Sequence, residues 1–183
     1  MQTRWLIVLS LLCSSWANAG AIPKQSWRDL GLQKLDQPAP DFGAGDSTFL
    51  ATHRDQWVLL HFWATWCAPC AEELPELNRL YTRWRDHHGI AFLTVSIDSD
   101  NAAGVPDFMN RLGLQLPVQL STETHPTKKY WSWGVPVTYL IDPRGRLVAR
   151  ALGPRQWDSA AGDSLLAGLT GTEVASKDKN HSN

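Results

Sequence analysis

Apolar positions along the chain fall into two kinds of pattern. Residues 57–63 form a continuous run rich in Trp, Val, Leu and Phe, with no Pro or Gly. Such a run predicts a strand buried on both faces, as in a parallel sheet. Directly after it, Leu74, Leu77, Leu80, Tyr81 and Trp84 recur at spacings of three and four, the stripe of an amphipathic helix. That helix is expected to run to about His88 and stop at Gly89, with Pro75 kinking it. Residues 90–97 read as a second buried strand, and a strand–helix–strand order of this length implies a right-handed parallel crossover. A helix over 101–112 follows, with Val105, Phe108, Met109 and Leu112 inward. Next come a short strand at 117–120, a helical turn at 124–131 and a strand at 137–141. A turn at 142–145 joins that strand to its hairpin mate at 146–152. Residues 155–169 read as a closing helix with Trp157, Ala161, Leu165, Leu166 and Leu169 on one face.

The termini read differently. Residues 1–19 have a positive start at Arg4, an apolar centre and the small-residue ending Ala17-Asn-Ala19, the signature of a signal peptide. The run is short for a membrane span, although an uncleaved segment would act as an N-terminal anchor. The domain is expected to span 20–171, opening with an arm at 20–46. That arm holds a short helix at 27–35 and an extended Pro- and Gly-rich loop, and a strand at 47–50 comes next. Residues 172–183 are polar and read as a disordered tail.

Length and charge narrow the function classes. A chain of 183 residues is one domain with room for a core. A formal net charge of −1 without a basic cluster argues against nucleic acid as a partner. Of the three cysteines, Cys13 leaves with the signal, since Leu12 before it is not the small residue that lipoprotein processing wants. The remaining pair then lies in an oxidising compartment.

That pair is Cys67-Ala-Pro-Cys70, where the central strand turns into a helix. Free backbone N–H groups and a positive macrodipole favour a thiolate at Cys67. In such sites the thiol pKa drops from about 8.5 to about 3.5–7.5. Cys70, a turn deeper, reaches back to close a disulfide, and Pro69 suits the first turn, where its missing N–H costs nothing. The pair thus supplies an exposed nucleophile and a sheltered resolving thiol for thiol–disulfide exchange. A zinc site would want four ligands, and no second Cys pair or paired His follows. An inert structural disulfide is the remaining reading.

Phe62-Trp-Ala-Thr-Trp-Cys-Ala-Pro-Cys70, Glu73-Leu-Pro75, Val95-Ser-Ile-Asp98, Gly134-Val-Pro-Val-Thr138 and, upstream, Pro38-Ala-Pro-Asp-Phe42 together resemble the TlpA/ResA-like thiol–disulfide oxidoreductases of the thioredoxin superfamily. The resemblance implies an α/β thioredoxin-like fold: a central mixed sheet flanked by helices, with an N-terminal extension and a strand–helix insertion. It also implies a cis Val135–Pro136 peptide facing the cysteines, leaving Val135 free to pair with an extended substrate. Trp66 either shapes that groove or simply packs.

His61 stands where thioredoxins carry a buried acid serving the resolving cysteine. It is either a proton acceptor for Cys70 or a core histidine satisfied by a backbone carbonyl. Glu73 either raises a thiol pKa or faces solvent as a first-turn residue. His53, His87, His88 and His125 have no metal-site spacing and read as surface residues.

The resemblance implies a periplasmic, monomeric enzyme that reduces disulfides of exported proteins, apocytochrome c among them, and draws electrons from a DsbD-type membrane reductase. No Rossmann or P-loop motif is present, and beyond the Cys67–Cys70 disulfide no metal or cofactor is expected. A dithiol oxidase would use the same residues at a shifted potential. A Sco-like copper-handling module would want Cys-X-X-X-Cys and a distant His, and a peroxidase a Thr-X-X-Cys pattern.

Overall fold

The computed structural model describes residues 22–41, 49–98, 102–121, 130 and 134–172. The expected signal peptide, the helical turn at 124–131 apart from Tyr130, and nearly all of the expected tail lie outside these residues. The elements in chain order are α1 (Lys24–Asp29), β1 (Gln33–Pro38), α2 (Phe49–Thr52), β2 (Trp57–Trp63), α3 (Ala68–Trp84), β3 (Ile90–Ser96), α4 (Val105–Arg111, after a 3₁₀ turn at Ala102–Gly104), β4 (Val118–Leu120), β5 (Val137–Ile141), β6 (Arg146–Leu152) and α5 (Ala160–Thr170).

The six strands form one mixed sheet in the order β1-β6-β5-β2-β3-β4. β2 is central and wholly buried, as its unbroken apolar run requires. It pairs parallel with β3, from Trp57↔Ile90 to Trp63↔Ser96, and antiparallel with β5, from Val58↔Ile141 to Phe62↔Val137. Alternation along β2 sorts its residues by face. Leu59 and Trp63 join Leu74, Leu77 and Leu80 of α3 in one core layer, which also takes in Phe108 of α4 and Trp157. Val58, Leu60 and Phe62 face the other way, against Tyr130 and Tyr139. His61 has the parity of Leu59 and Trp63, and so lies on the α3 side.

Several expected boundaries move. The helix expected at 27–35 is instead α1, which ends early, because Gly31 adopts φ +56° and turns the chain into β1. β1 is almost entirely polar and exposed, an edge strand held by its pairing with β6. In place of a strand at 47–50, the described residues from Phe49 on form α2. α3 stays continuous through Pro75 but stops at Trp84, not His88. There the Trp84 indole N–H donates to Asp163 (2.8 Å) and its ring lies against that of His87, tilted by 36°. Gly89 is not a left-handed cap, and instead lets Thr170 approach closely. Leu112 lies beyond α4 and is exposed rather than inward. The closing helix starts at Ala160, not Arg155: Ser159 is extended and caps it, accepting from the Gly162 N–H. A Cβ on Gly162 would lie 2.2 Å from the Trp157 carbonyl oxygen, so only glycine allows this approach.

Candidate redox site

The site forms where β2 gives way to α3. Cys67 is the N-cap of α3, with an extended backbone (φ −90°, ψ 101°), and the Cys70 N–H donates to its Sγ at 3.2 Å. The helix start therefore aims a backbone donor at the Cys67 sulfur, as expected for a site that favours a thiolate. Pro69 occupies the first turn. The two sulfurs are bonded, with Cα atoms 5.2 Å apart. In this oxidised state Cys67 is 5 % exposed and Cys70 fully buried, so both are buried and the exposed nucleophile expected from the sequence is not seen: the disulfide draws the Cys67 sulfur in against Cys70. Trp66 is the side chain that projects, 68 % exposed.

The other wall follows from register. Because Phe62 pairs antiparallel with Val137, the end of β2 lies beside the start of β5. The Val135–Pro136 peptide there is cis. The Val135 carbonyl oxygen sits 3.6 Å from Cys67 Sγ, and the Pro136 carbonyl accepts from Gly153 at 2.9 Å. β3 ends at the same edge and contributes Asp98, whose carboxylate accepts from the Thr65 N–H (2.9 Å), the Thr65 hydroxyl (2.6 Å) and Ser96 (2.6 Å). Asp98 thus fixes the loop that presents Trp66 and Cys67. The sequence pattern marked it only as part of a motif.

Beneath the cysteines lies a buried His–Glu pair. Glu73 does not face solvent: it is 2 % exposed. Its Oε1 accepts from the Trp157 indole N–H (2.6 Å) and the Arg155 backbone N–H (3.0 Å). Its Oε2 lies 3.8 Å from His61 Nε2, and neither of these two atoms has a hydrogen-bond partner among the described residues. An unmet buried polar atom costs about 1–3 kcal/mol. His61 Nδ1 is 2.9 Å from the Thr138 hydroxyl, so a side chain and not a backbone carbonyl satisfies it. Burial pushes the Glu73 carboxyl up to about 7 against the pull of Trp157 and Arg155. Burial pushes the His61 imidazole down to about 3.

Other histidines lie apart. His53, His87 and His88 line a cavity of about 460 Å³ that also takes in Ile90, the first residue of β3, at the far end of the sheet from Cys67. His125 lies outside the described residues. Among the described residues, no group of three or more His, Cys, Asp or Glu side chains is placed to hold a metal ion. No described helix is long and apolar enough to cross a membrane.

The model of the AhpC/TSA family matches residues 35–150. The chain belongs to that family. Within it, the chain is similar to the thiol–disulfide oxidoreductase ResA of Bacillus thuringiensis (strain Al Hakam). That relative is 28 % identical over 159 residues, covering 85 % of this chain and 91 % of its own length. ResA of Geobacillus thermodenitrificans (strain NG80-2) is 33 % identical over 113 residues, 60 % of this chain and 64 % of the relative. Among solved structures, the DsbE-type thiol:disulfide interchange protein of Chlorobium tepidum matches with a TM-score of 0.62 at 26 % identity, covering 75 % of this chain and 98 % of that one. StoA of Bacillus subtilis, at 23 % identity and a TM-score of 0.56, shares the fold. These relatives and the Cys67–Cys70 disulfide make this AhpC/TSA-family chain a ResA/TlpA-like thiol–disulfide oxidoreductase with a thioredoxin-like fold.

Proposed function

We propose that the chain is a dithiol reductase for disulfides of exported proteins, with Cys67 as the attacking thiol and Cys70 as the resolving one. The observation that carries this reading is the Cys67 sulfur at the helix cap, receiving the Cys70 N–H at 3.2 Å and flanked by the Val135 carbonyl at 3.6 Å. Cys67 attacks a client disulfide and forms a mixed disulfide, and Cys70 then displaces the client. Trp66, Pro69, Val135 and Pro136 line the path of an extended client segment. His61 and Glu73 serve the proton that Cys70 gives up. Residues 1–19 export the chain to the periplasm, where it works as a monomer. A DsbD-type membrane reductase supplies electrons, and apocytochrome c, whose haem-binding cysteines must be reduced, is the client class that fits.

The test is a trapping experiment in the exporting cell. With Cys70→Ser, client proteins should accumulate as mixed disulfides through Cys67. With Cys67→Ser none should form. In the parent, alkylation should find both cysteines mainly reduced. Mainly oxidised cysteines would reverse the proposed direction, and equal trapping by either variant would remove the assigned roles.

A further inference from the structure

The structure leaves His61 Nε2 and Glu73 Oε2 facing each other at 3.8 Å, both buried and both without a hydrogen-bond partner among the described residues. The remaining polar atoms of the two side chains are engaged: Glu73 Oε1 by Trp157 and Arg155, His61 Nδ1 by Thr138. A carboxylic acid and a neutral imidazole complement each other across that gap, because one offers a proton and the other a lone pair. A carboxyl torsion is soft, and closure by less than an ångström brings the two atoms into hydrogen-bond range.

We propose that His61 is the positioning residue for the acid of this site: its Nε2 accepts a hydrogen bond from the protonated Glu73 carboxyl and so keeps one proton on Glu73 while Cys67 and Cys70 are bonded. The inference deepens the proposed function and rests on Cys70 being the resolving thiol. Glu73 follows Cys70 by three residues on α3, hence on the same helix face, and both are buried.

The groups around the pair leave it to carry its own proton. From α3 come Glu73 and, farther along, Glu76, which raises the Glu73 pKa. β5 offers the Thr138 hydroxyl. β3 offers Thr94, which pairs with His61 in the sheet and spends its hydroxyl on the Pro117 carbonyl. After β6, Arg155 presents its backbone N–H to Glu73, while its guanidinium donates to the carbonyls of Leu30, Leu152 and Pro154. Burial keeps His61 neutral and Glu73 protonated into the neutral range.

The proton and electrons balance around the cycle. During resolution the Cys70 thiol yields its proton to the Glu73 carboxylate, and its sulfur attacks Cys67. The Cys67–client bond breaks, the client sulfur leaves with the electron pair, and the Cys67–Cys70 bond forms. When a protein dithiol reduces the enzyme, its thiolate attacks Cys67. The Cys67–Cys70 bond breaks, a donor–Cys67 bond forms, and Cys70 takes the bonding pair together with the proton that Glu73 returns. The donor's second thiol then attacks its own sulfur in that mixed disulfide, closing the donor disulfide and releasing Cys67 with the electron pair. His61 keeps that proton on Glu73 in between.

The test combines nitrogen NMR of histidine-labelled oxidised protein with the pH profile of the resolution rate. His61 should remain neutral from pH 5 to 8 with the proton on Nδ1, and its Nε2 shift should move as Glu73 ionises. His61→Leu should move the inflection of the profile down by about one unit, because the Glu73 carboxyl loses the acceptor that favours its protonated form. His61→Gln, whose amide oxygen also accepts, should restore it. A proton on Nε2, or a His61→Leu profile identical to the parent's, would overturn the proposal while leaving the oxidoreductase intact. Should His61→Leu not fold, the NMR assignment of the parent decides. A parent that forms no mixed disulfide at all would sink the functional reading instead.

Discussion

Replacing Glu73 with Gln should turn a flat stability–pH curve into a steep one. In the folded, oxidised protein Glu73 titrates near 7 against 4.5 for a free glutamate, and His61 near 3 against 6.5. Stability falls with rising pH where the native state holds more protons than the unfolded chain, and rises where it holds fewer. Native Glu73 keeps an extra proton between pH 4.5 and 7, so its contribution falls as pH rises through that window. Native His61 lacks a proton that the unfolded chain carries between pH 3 and 6.5, so its contribution rises there. From pH 4.5 to 6.5 the slopes cancel, because each state holds one proton on the pair. Glu73→Gln removes one slope and keeps the oxygen that accepts from Trp157 and Arg155. The variant should therefore gain stability relative to the parent as pH rises through this window, on the order of 1 kcal/mol per pH unit. Urea unfolding of both oxidised proteins at pH 4.5, 5.5 and 6.5 reads this directly, since all other titrating groups are shared. A stability difference that stays constant across the window would refute the reasoning.

Other consequences follow from single contacts. Trp157→Phe removes the indole donor to Glu73, costing about 1.5–3 kcal/mol above pH 7, where the partner is charged, and less at pH 5; equal losses at both pH values in urea unfolding would contradict it. Gly162→Ala places a Cβ against the Trp157 carbonyl and should cost about 1–3 kcal/mol, so a variant as stable as the parent would be unexpected. Asp98→Ala frees Thr65 from two hydrogen bonds. It should slow exchange with a protein disulfide more than exchange with a small one, and equal slowing would argue against a role in presenting Cys67.

Much of the site was legible because it depends on local order. The apolar run of β2 and the stripe of α3 place Cys67 at the helix cap without reference to the rest of the chain. Glu73 was harder, since a glutamate near the start of a helix ordinarily faces water, and this one lies in the second turn of α3 rather than the first. Yet Cys70, Glu73, Leu77, Leu80 and Trp84 lie at alternating spacings of three and four, which puts Glu73 on the buried seam. What stayed hidden was its partner: Trp157 is 84 positions away and only the fold brings it near. Trp157 also misled the placement of α5, because an apolar residue pulled toward Glu73 mimics the helical stripe that begins after Ser159. β1 was illegible for a different reason. An exposed edge strand has no apolar alternation, and its pairing with β6 is a property of the sheet.

The reactivity of the reduced cysteines tests the account at its centre. Alkylation by iodoacetamide, followed by mass spectrometry across pH, should find Cys67 modified near pH 6 at rates an ordinary cysteine reaches only near its pKa of about 8.5, with Cys70 protected. A Cys67 that reacts no faster than free cysteine at pH 6, or a Cys70 modified first, would contradict the assignment of the nucleophile to the helix cap.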